Sequence, residues 1–245
     1  MKHLQLLFLS TLALVFSQCS KSGQEQEPGP MDNQEITMEE TTSGRSAPIR
    51  YLALGDSYTI GQGVSEELRW PNQLAGKLRD ARYDISEVNI IATTGWTTRD
   101  LLNGIDAQDP DRHDLVSLLI GVNNQYQKLP FDKYEIEFVE LLDIAIELAG
   151  GKENVFVVSI PDYGVTPFGS GDPEGIGKEI DRYNAYAQER CSEKGIPFID
   201  ITGISREFGN SEGALASDRL HPSGLQYTRW TDAILPVVIE VLKKD

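Results

Sequence analysis

The chain has 245 residues, 40% of them apolar and 24% charged, with 2 cysteines. That apolar content suffices for a packed core, and two cysteines are too few for a disulfide scaffold. With 38 acidic against 22 basic residues and a formal net charge of −16, the chain repels phosphate backbones and anionic lipid surfaces, which argues against nucleic acid as a partner.

In chain order, Met1, Lys2 and His3 precede a mostly apolar stretch over 4–16, the pattern of an export signal and too short for a permanent membrane span. Phe16-Ser17-Gln18-Cys19-Ser20 follows. It resembles the lipobox of bacterial lipoproteins, although Gln18 stands where that motif has a small residue and Phe16 where it has Leu. The resemblance implies a signal peptide over 1–18, acylation of Cys19 and an exported protein anchored in the bacterial cell envelope, in the periplasm or at the outer membrane. Simple secretion is the alternative. Residues 20–48 are rich in Gly, Pro, Ser, Thr, Gln and Glu and hold no aromatic residue. Such a segment cannot bury enough surface to offset the ordering of its backbone, so 19–48 is expected to be a lipidated cysteine followed by a disordered tether. Cys191 is then left without an intramolecular partner and is expected to be a buried helix residue.

The remainder, 49–245, has the size of one α/β domain and would bury roughly 70% of its unfolded surface. The apolar run 49–54 predicts a strand, 70–81 a helix opened by Pro71, 85–92 a second strand and 115–120 a third. Residues 131–149 carry apolar side chains at helical spacing and stop at Gly150-Gly151, after which 155–160 makes a β-branched fourth strand. A helix over 174–194 ends at Gly195, and 197–201 supplies a fifth strand. The last helix begins at Ser223, which forms a capping box with Gln226, and Pro236 should kink or split it. Strands alternating with helices imply right-handed crossovers and a mostly parallel five-stranded sheet covered on both faces, an α/β sandwich of three layers.

In such sheets ligands bind at the carboxyl ends of the strands. Four polar segments fall there: Gly55-Asp56-Ser57, Thr93-Thr94-Gly95, Gly121-Val122-Asn123-Asn124, and Asp218-Arg219-Leu220-His221 in the loop before the last helix. The chemistry they suit is acyl transfer. A serine hydroxyl needs an imidazole to take its proton, and the imidazole needs an acceptor on its other nitrogen to fix the tautomer, roles that Ser57, His221 and Asp218 can fill. The backbone N–H of Ser57, the N–H of Gly95 and the side-chain amide of Asn123 can then meet the oxyanion of a tetrahedral intermediate. Singly each residue is unremarkable: Gly-Asp-Ser and Asp-x-x-His are common turns, Gly95 fits a positive φ and Asn123 a turn. His113 precedes the third strand, so it falls at the opposite edge of the sheet as a satisfied surface residue, which leaves His221 as the base. Activity should therefore rise with pH as that imidazole becomes neutral.

Leu54-Gly55-Asp56-Ser57, Gly95, Gly121-Val122-Asn123 and Asp218-Arg219-Leu220-His221 resemble, in order, the four blocks of the GDSL, or SGNH, hydrolase family, over essentially all of the chain from Ile49. The resemblance implies a flavodoxin-like three-layer fold and hydrolysis of ester or thioester bonds with neither metal nor other cofactor. It makes Ser57 the nucleophile, Ser57, Gly95 and Asn123 the oxyanion hole, and Asp218 and His221 the acid and base. Tyr58 stands where the family usually has Leu. Asn124 stands where the third block often has Asp, which leaves a supporting hydrogen bond open and the role of Asn123 intact. Residues 61–66 lack the last Gly of a dinucleotide fingerprint, and Asp106, Asp109, Asp111 and Asp114 lack the spacing of a calcium loop.

The expected function is a serine hydrolase that cleaves small acyl esters or O-acetylated glycans through an acyl-enzyme. The alternatives are a lysophospholipase or acyl-thioesterase, and a catalytically silent glycan-binding lipoprotein, which would have no use for a proton relay. Substrate contacts are expected from Asp56, Tyr58, Tyr126, Asp162 and Tyr163, with Phe168 as a further aromatic candidate and a salt bridge as the other role open to Asp162. The membrane enters only through the lipid anchor.

Overall fold

The computed structural model describes residues 47–243. The expected signal peptide over 1–18, lipidated Cys19 and tether, as far as residue 46, lie outside the described residues. In chain order the elements are β1 (Ile49–Gly55), α1 (Ser57–Ile60), α2 (Trp70–Asp80), β2 (Ile85–Ala92), α3 (Thr98–Gln108), β3 (Leu115–Leu119), α4 (Val122–Tyr126), α5 (Phe131–Leu148), β4 (Val155–Val158), α6 (Pro173–Lys194), β5 (Phe198–Ile199), α7 (Thr202–Phe208) and α8 (Gly224–Leu242).

The strands form one five-stranded sheet in the order β2-β1-β3-β4-β5. Every pairing is parallel, so the sheet is wholly parallel. This is the flavodoxin-like order, in which the direction of winding reverses beside β1. Right-handed crossovers then send α2 to one face and α3, α5 and α6 to the other. The three inner strands are buried almost throughout, as strands covered on both faces must be, whereas the edge strand β2 is half-buried along its middle.

Over one face α2 packs on α8. Trp70, Leu74 and Leu78 of α2 recur at helical spacing and are fully buried, as is Trp230 of α8; each such side chain contributes roughly 1.5–3 kcal/mol by leaving water. Polar contacts lock the pair. Gln73 Nε2 donates to the Gly224 carbonyl at 3.0 Å, Thr228 Oγ1 donates to Gln73 Oε1 at 2.7 Å, and Lys77 pairs with Asp232. The start of α8, and with it the turn that precedes it, is thereby fixed to α2.

Several sequence expectations are corrected. Helix α3, not anticipated, opens with a full capping box: Thr97 Oγ1 accepts from the Asp100 N–H at 3.3 Å and the Asp100 carboxylate accepts from the Thr97 N–H at 2.9 Å. At Ser223 only half of the expected box forms. Its Oγ accepts from the Gln226 N–H at 3.2 Å, but Gln226 Nε2 turns away to the Ala214 carbonyl at 2.9 Å. Helix α8 runs unsplit past Pro236, which lies on the exposed face where water can satisfy the carbonyl that proline leaves free. Strand β5 is only two residues long, because the Asp200 carboxylate accepts from the Thr202 N–H at 2.8 Å and bends the chain into α7.

His113 lies at the amino end of β3, as expected, but it is buried rather than on the surface. Its Nδ1 donates to the Asp111 carbonyl at 2.7 Å and its Nε2 accepts from Asn89 Nδ2 at 3.0 Å, so both ring nitrogens are engaged. Cys191 is buried in α6, where burial pushes its thiol up to about 12. Among the described residues no three His, Cys, Asp or Glu side chains gather as a metal site, and none of the helices is long and apolar enough to cross a membrane.

Candidate active site

The chain leaves β1 through Gly55, where a Cβ would lie 2.5 Å from the Leu119 carbonyl of the neighbouring strand, so only glycine passes. Asp56 then caps the single turn α1, its Oδ1 accepting from the Tyr58 N–H at 3.0 Å. Ser57 is the first residue of that turn, so its N–H belongs to the donors that a helix ladder leaves unused. At the end of β2, Gly95 has φ +87° and open space where a Cβ would stand, a backbone that glycine adopts without strain. Thr94 Oγ1 donates to Gln62 Oε1 at 2.7 Å, which ties this loop to the segment after α1.

Beyond β3, one proton of Asn123 Nδ2 goes to the Trp96 carbonyl at 2.9 Å; an amide nitrogen carries two, so the second remains to be offered. The adjacent Asn124 is fully buried. Its Oδ1 accepts from the Thr98 N–H at 3.0 Å and its Nδ2 donates to Thr98 Oγ1 at 2.6 Å, while Thr98 Oγ1 donates to Glu137 Oε2 at 2.5 Å. An amide serves both ends of Thr98, whereas a carboxylate there could only accept. The supporting hydrogen bond left open by the sequence is thus made by Asn124 itself.

The segment before α8 is a braced turn. Ala216 N–H donates to the His221 carbonyl at 2.8 Å, Arg219 N–H donates to the Ala216 carbonyl at 3.0 Å, and Leu215 bridges Pro222. Asp218 Oδ1 accepts from the N–H groups of Leu220 and His221, each at 3.0 Å, and its Oδ2 accepts from His221 Nδ1 at 2.7 Å. Partial burial alone would raise the Asp218 carboxyl, but the His221 hydrogen bond and the two backbone N–H groups outweigh it and hold the group below its ordinary value. With Nδ1 donating to this carboxylate, the Nε2 lone pair of neutral His221 is free. The Tyr58 ring stands edge-on to the imidazole at 5.6 Å.

Ser57, Gly95, Asn123 and His221 come together in the wall of one cavity of about 200 Å³, completed mainly by Tyr58, Tyr126, Tyr163 and Phe168. Tyr58, Tyr126 and Tyr163 therefore stand where substrate contacts were expected. Asp56 and Asp162 do not line this cavity, and Asp162 takes the salt-bridge role instead. The Asp162 carboxylate accepts from Arg206 Nε and from the Gly164 N–H, both at 2.8 Å, and so fixes the turn Tyr163–Val165 that presents Tyr163. Sequence patterns single out neither Trp96, which aims Asn123, nor Gln125, whose Oε1 accepts from the Tyr163 hydroxyl at 2.8 Å. The Thr97-x-x-Asp100 cap is the one local signal that marks Trp96 as part of the same rim.

Asp56, which precedes Ser57, is fully buried, and its Oδ2 has no hydrogen-bond partner among the described residues. Burial pushes its carboxyl from 3.8 up to about 7, against the pull of the Tyr58 N–H. The folded chain thus holds a proton that the unfolded chain releases near the ordinary aspartate value, so stability falls as pH rises from about 4 to 7. In urea unfolding at pH 5 and pH 8, Asp56→Asn is expected to gain stability relative to wild type as the pH increases. An offset between the two proteins that is the same at both pH values would mean that Asp56 titrates normally.

A wholly parallel, doubly wound sheet with serine, imidazole and amide groups in one cavity at its carboxyl edge defines the class of protein. Residues 53–229 match the GDSL-like lipase/acylhydrolase family, and the chain belongs to that family. Among solved structures it is similar to TesA, at 18% identity and a TM-score of 0.63 over 79% of this chain and 99% of that one. It is also similar to the psychrotrophic esterase EstA from Pseudoalteromonas sp., at 16% identity and a TM-score of 0.61 over 79% of this chain and 98% of that one. A variant of Axe2, an acetyl xylan esterase from Geobacillus stearothermophilus, shares 22% identity with a TM-score of 0.60 over 78% of this chain and 94% of that one. At these identities the likenesses speak to the fold. No curated protein matches the chain.

Proposed function

We propose that the protein is a serine ester hydrolase that removes short acyl groups from alcohols through an acyl-enzyme. The observation that carries this is the single cavity shared by Ser57, Gly95, Asn123 and a His221 held by Asp218 at 2.7 Å. In this mechanism His221 Nε2 takes the hydroxyl proton as Ser57 Oγ attacks the ester carbonyl carbon. The carbonyl electron pair moves onto oxygen, where the N–H groups of Ser57 and Gly95 and the free proton of Asn123 Nδ2 meet it. Collapse breaks the bond to the alcohol, which leaves with the proton from Nε2, and the acyl group stays on Ser57. Water, deprotonated by His221, then releases the carboxylic acid. Asp218 stays ionised throughout and stabilises the imidazolium. In the same reading the protein is exported and tethered to the cell envelope through Cys19.

The cavity volume supports a small acyl group. About 200 Å³ is below the roughly 300–1,000 Å³ of pockets that enclose drug-sized ligands, so it suits an acetyl or propionyl group better than a fatty chain. The value of kcat/KM on p-nitrophenyl esters is expected to fall at least tenfold between acetate and decanoate. A rise with chain length would turn the assignment to a lysophospholipase or acyl-thioesterase, and tight glycan binding without turnover of any ester would identify a silent binding protein.

A further inference from the structure

A second cavity, of about 570 Å³, adjoins the catalytic one, and the two share Tyr126 and Tyr163. None of the acyl-transfer steps uses it. Along it the Glu179 carboxylate accepts from Gln125 Nε2 at 2.5 Å, and Gln125 Oε1 accepts from the Tyr163 hydroxyl at 2.8 Å, so a carboxylate, an amide and a phenol form one chain at the junction. The Arg182 guanidinium lies over the Phe131 ring, 3.7 Å from its centroid. At the junction Tyr126, which lines both cavities, is 52% exposed, and its ring centroid lies 5.7 Å from that of Phe168 in the wall of the catalytic cavity.

We infer that this second cavity is the leaving-group subsite and that it takes a sugar unit or short oligosaccharide, the alcohol half of an O-acylated glycan. The inference rests on the short-chain esterase reading and supplies the other half of its substrate. A long acyl chain here would press hydrocarbon on Asp172, Glu179, Arg182 and Lys128, which line the cavity, and strip water from charges it cannot bond. A phosphate headgroup would find two carboxylates offsetting two cations in a chain of net charge −16. A neutral polyol meets neither obstacle. Its hydroxyls both donate and accept, so they can serve Glu179 and Arg182 together, and the apolar face of a sugar ring can lie on the exposed Tyr126 ring at the junction as apolar surfaces lie on aromatic rings elsewhere. The volume also falls within the usual range for an enclosed ligand.

The test compares kcat/KM on O-acetylated xylotriose and O-acetylated cellotriose with that on p-nitrophenyl acetate, in wild type, Glu179→Ala and Arg182→Ala. Both positions are exposed on α6, and folding of the variants is checked by circular dichroism. Each variant is expected to lose tenfold or more on the trisaccharides relative to p-nitrophenyl acetate, chiefly in KM. Equal effects on all substrates overturn the subsite and leave the esterase intact. If wild type turns over no ester, the esterase reading fails, and calorimetry with unacetylated xylotriose and cellotriose decides the cavity alone: binding weakened tenfold in Glu179→Ala upholds a glycan site, and no binding ends it.

Discussion

Alanine in place of Ser57 or of His221 is expected to lower kcat for p-nitrophenyl acetate by about 10⁶, and the double variant is expected to fall no further than either single one. The two side chains act as one unit. Without the imidazole the hydroxyl keeps its proton and is a poor nucleophile, and without the hydroxyl the imidazole has nothing to activate. What survives in each case is the cavity with its N–H donors, which still favours the tetrahedral state over the flat ester by a modest factor. Initial rates, together with covalent labelling by a p-nitrophenyl phosphonate followed by intact mass, check this. Wild type should gain one phosphonyl group and Ser57→Ala none. A Ser57→Ala protein that kept a hundredth of the wild-type rate would place the nucleophile elsewhere.

Asp218→Asn is expected to lower kcat by about 10⁴ while leaving the fold in place. The geometry explains why so small a change costs so much. Asp218 Oδ1 accepts from the N–H groups of Leu220 and His221, and an asparagine oxygen can do the same, so the turn survives. The amide nitrogen then faces His221 Nδ1, where it can only donate. The imidazole must answer with a lone pair on Nδ1 and carry its proton on Nε2, the nitrogen that should take the proton of Ser57. The loss should lie in kcat with KM little changed, because Asp218 does not line the catalytic cavity. A loss confined to KM, or a large fall in Tm, would assign Asp218 to the architecture of the turn instead.

Where local chemistry decided an element, it was legible in the chain. Strand 85–92 matches β2 end for end, and Pro71 and Gly195 mark the first turn of α2 and the cap after α6. The four polar segments at the strand ends could be found because the winding rule says where to look. What escaped was set by contacts distant in sequence. A salt bridge was open to Asp162 from the sequence, but its partner, Arg206 on a later helix, was not legible. Asp56 looks like a turn residue able to touch substrate, yet the core closes over it completely. Pro236 looks like a break, but the decisive fact is that it faces water. Helix α3 was different: Thr97 and Asp100 announced it, and Leu101, Leu102 and Ile105 carried its buried stripe.

The pairing of α2 with α8 sets the order in which competence is reached. In the proposed mechanism the nucleophile directly follows the first strand, while its proton acceptor sits in a turn that α8 anchors to α2. A chain interrupted before Gly224 would own Ser57, Gly95 and Asn123 and all five strands of the sheet, yet its His221 would lack the anchor that α8 supplies. On the proposed mechanism, hydrolysis is therefore the last property to arrive as the polypeptide grows, and a truncated product is expected to be inert rather than a partial enzyme.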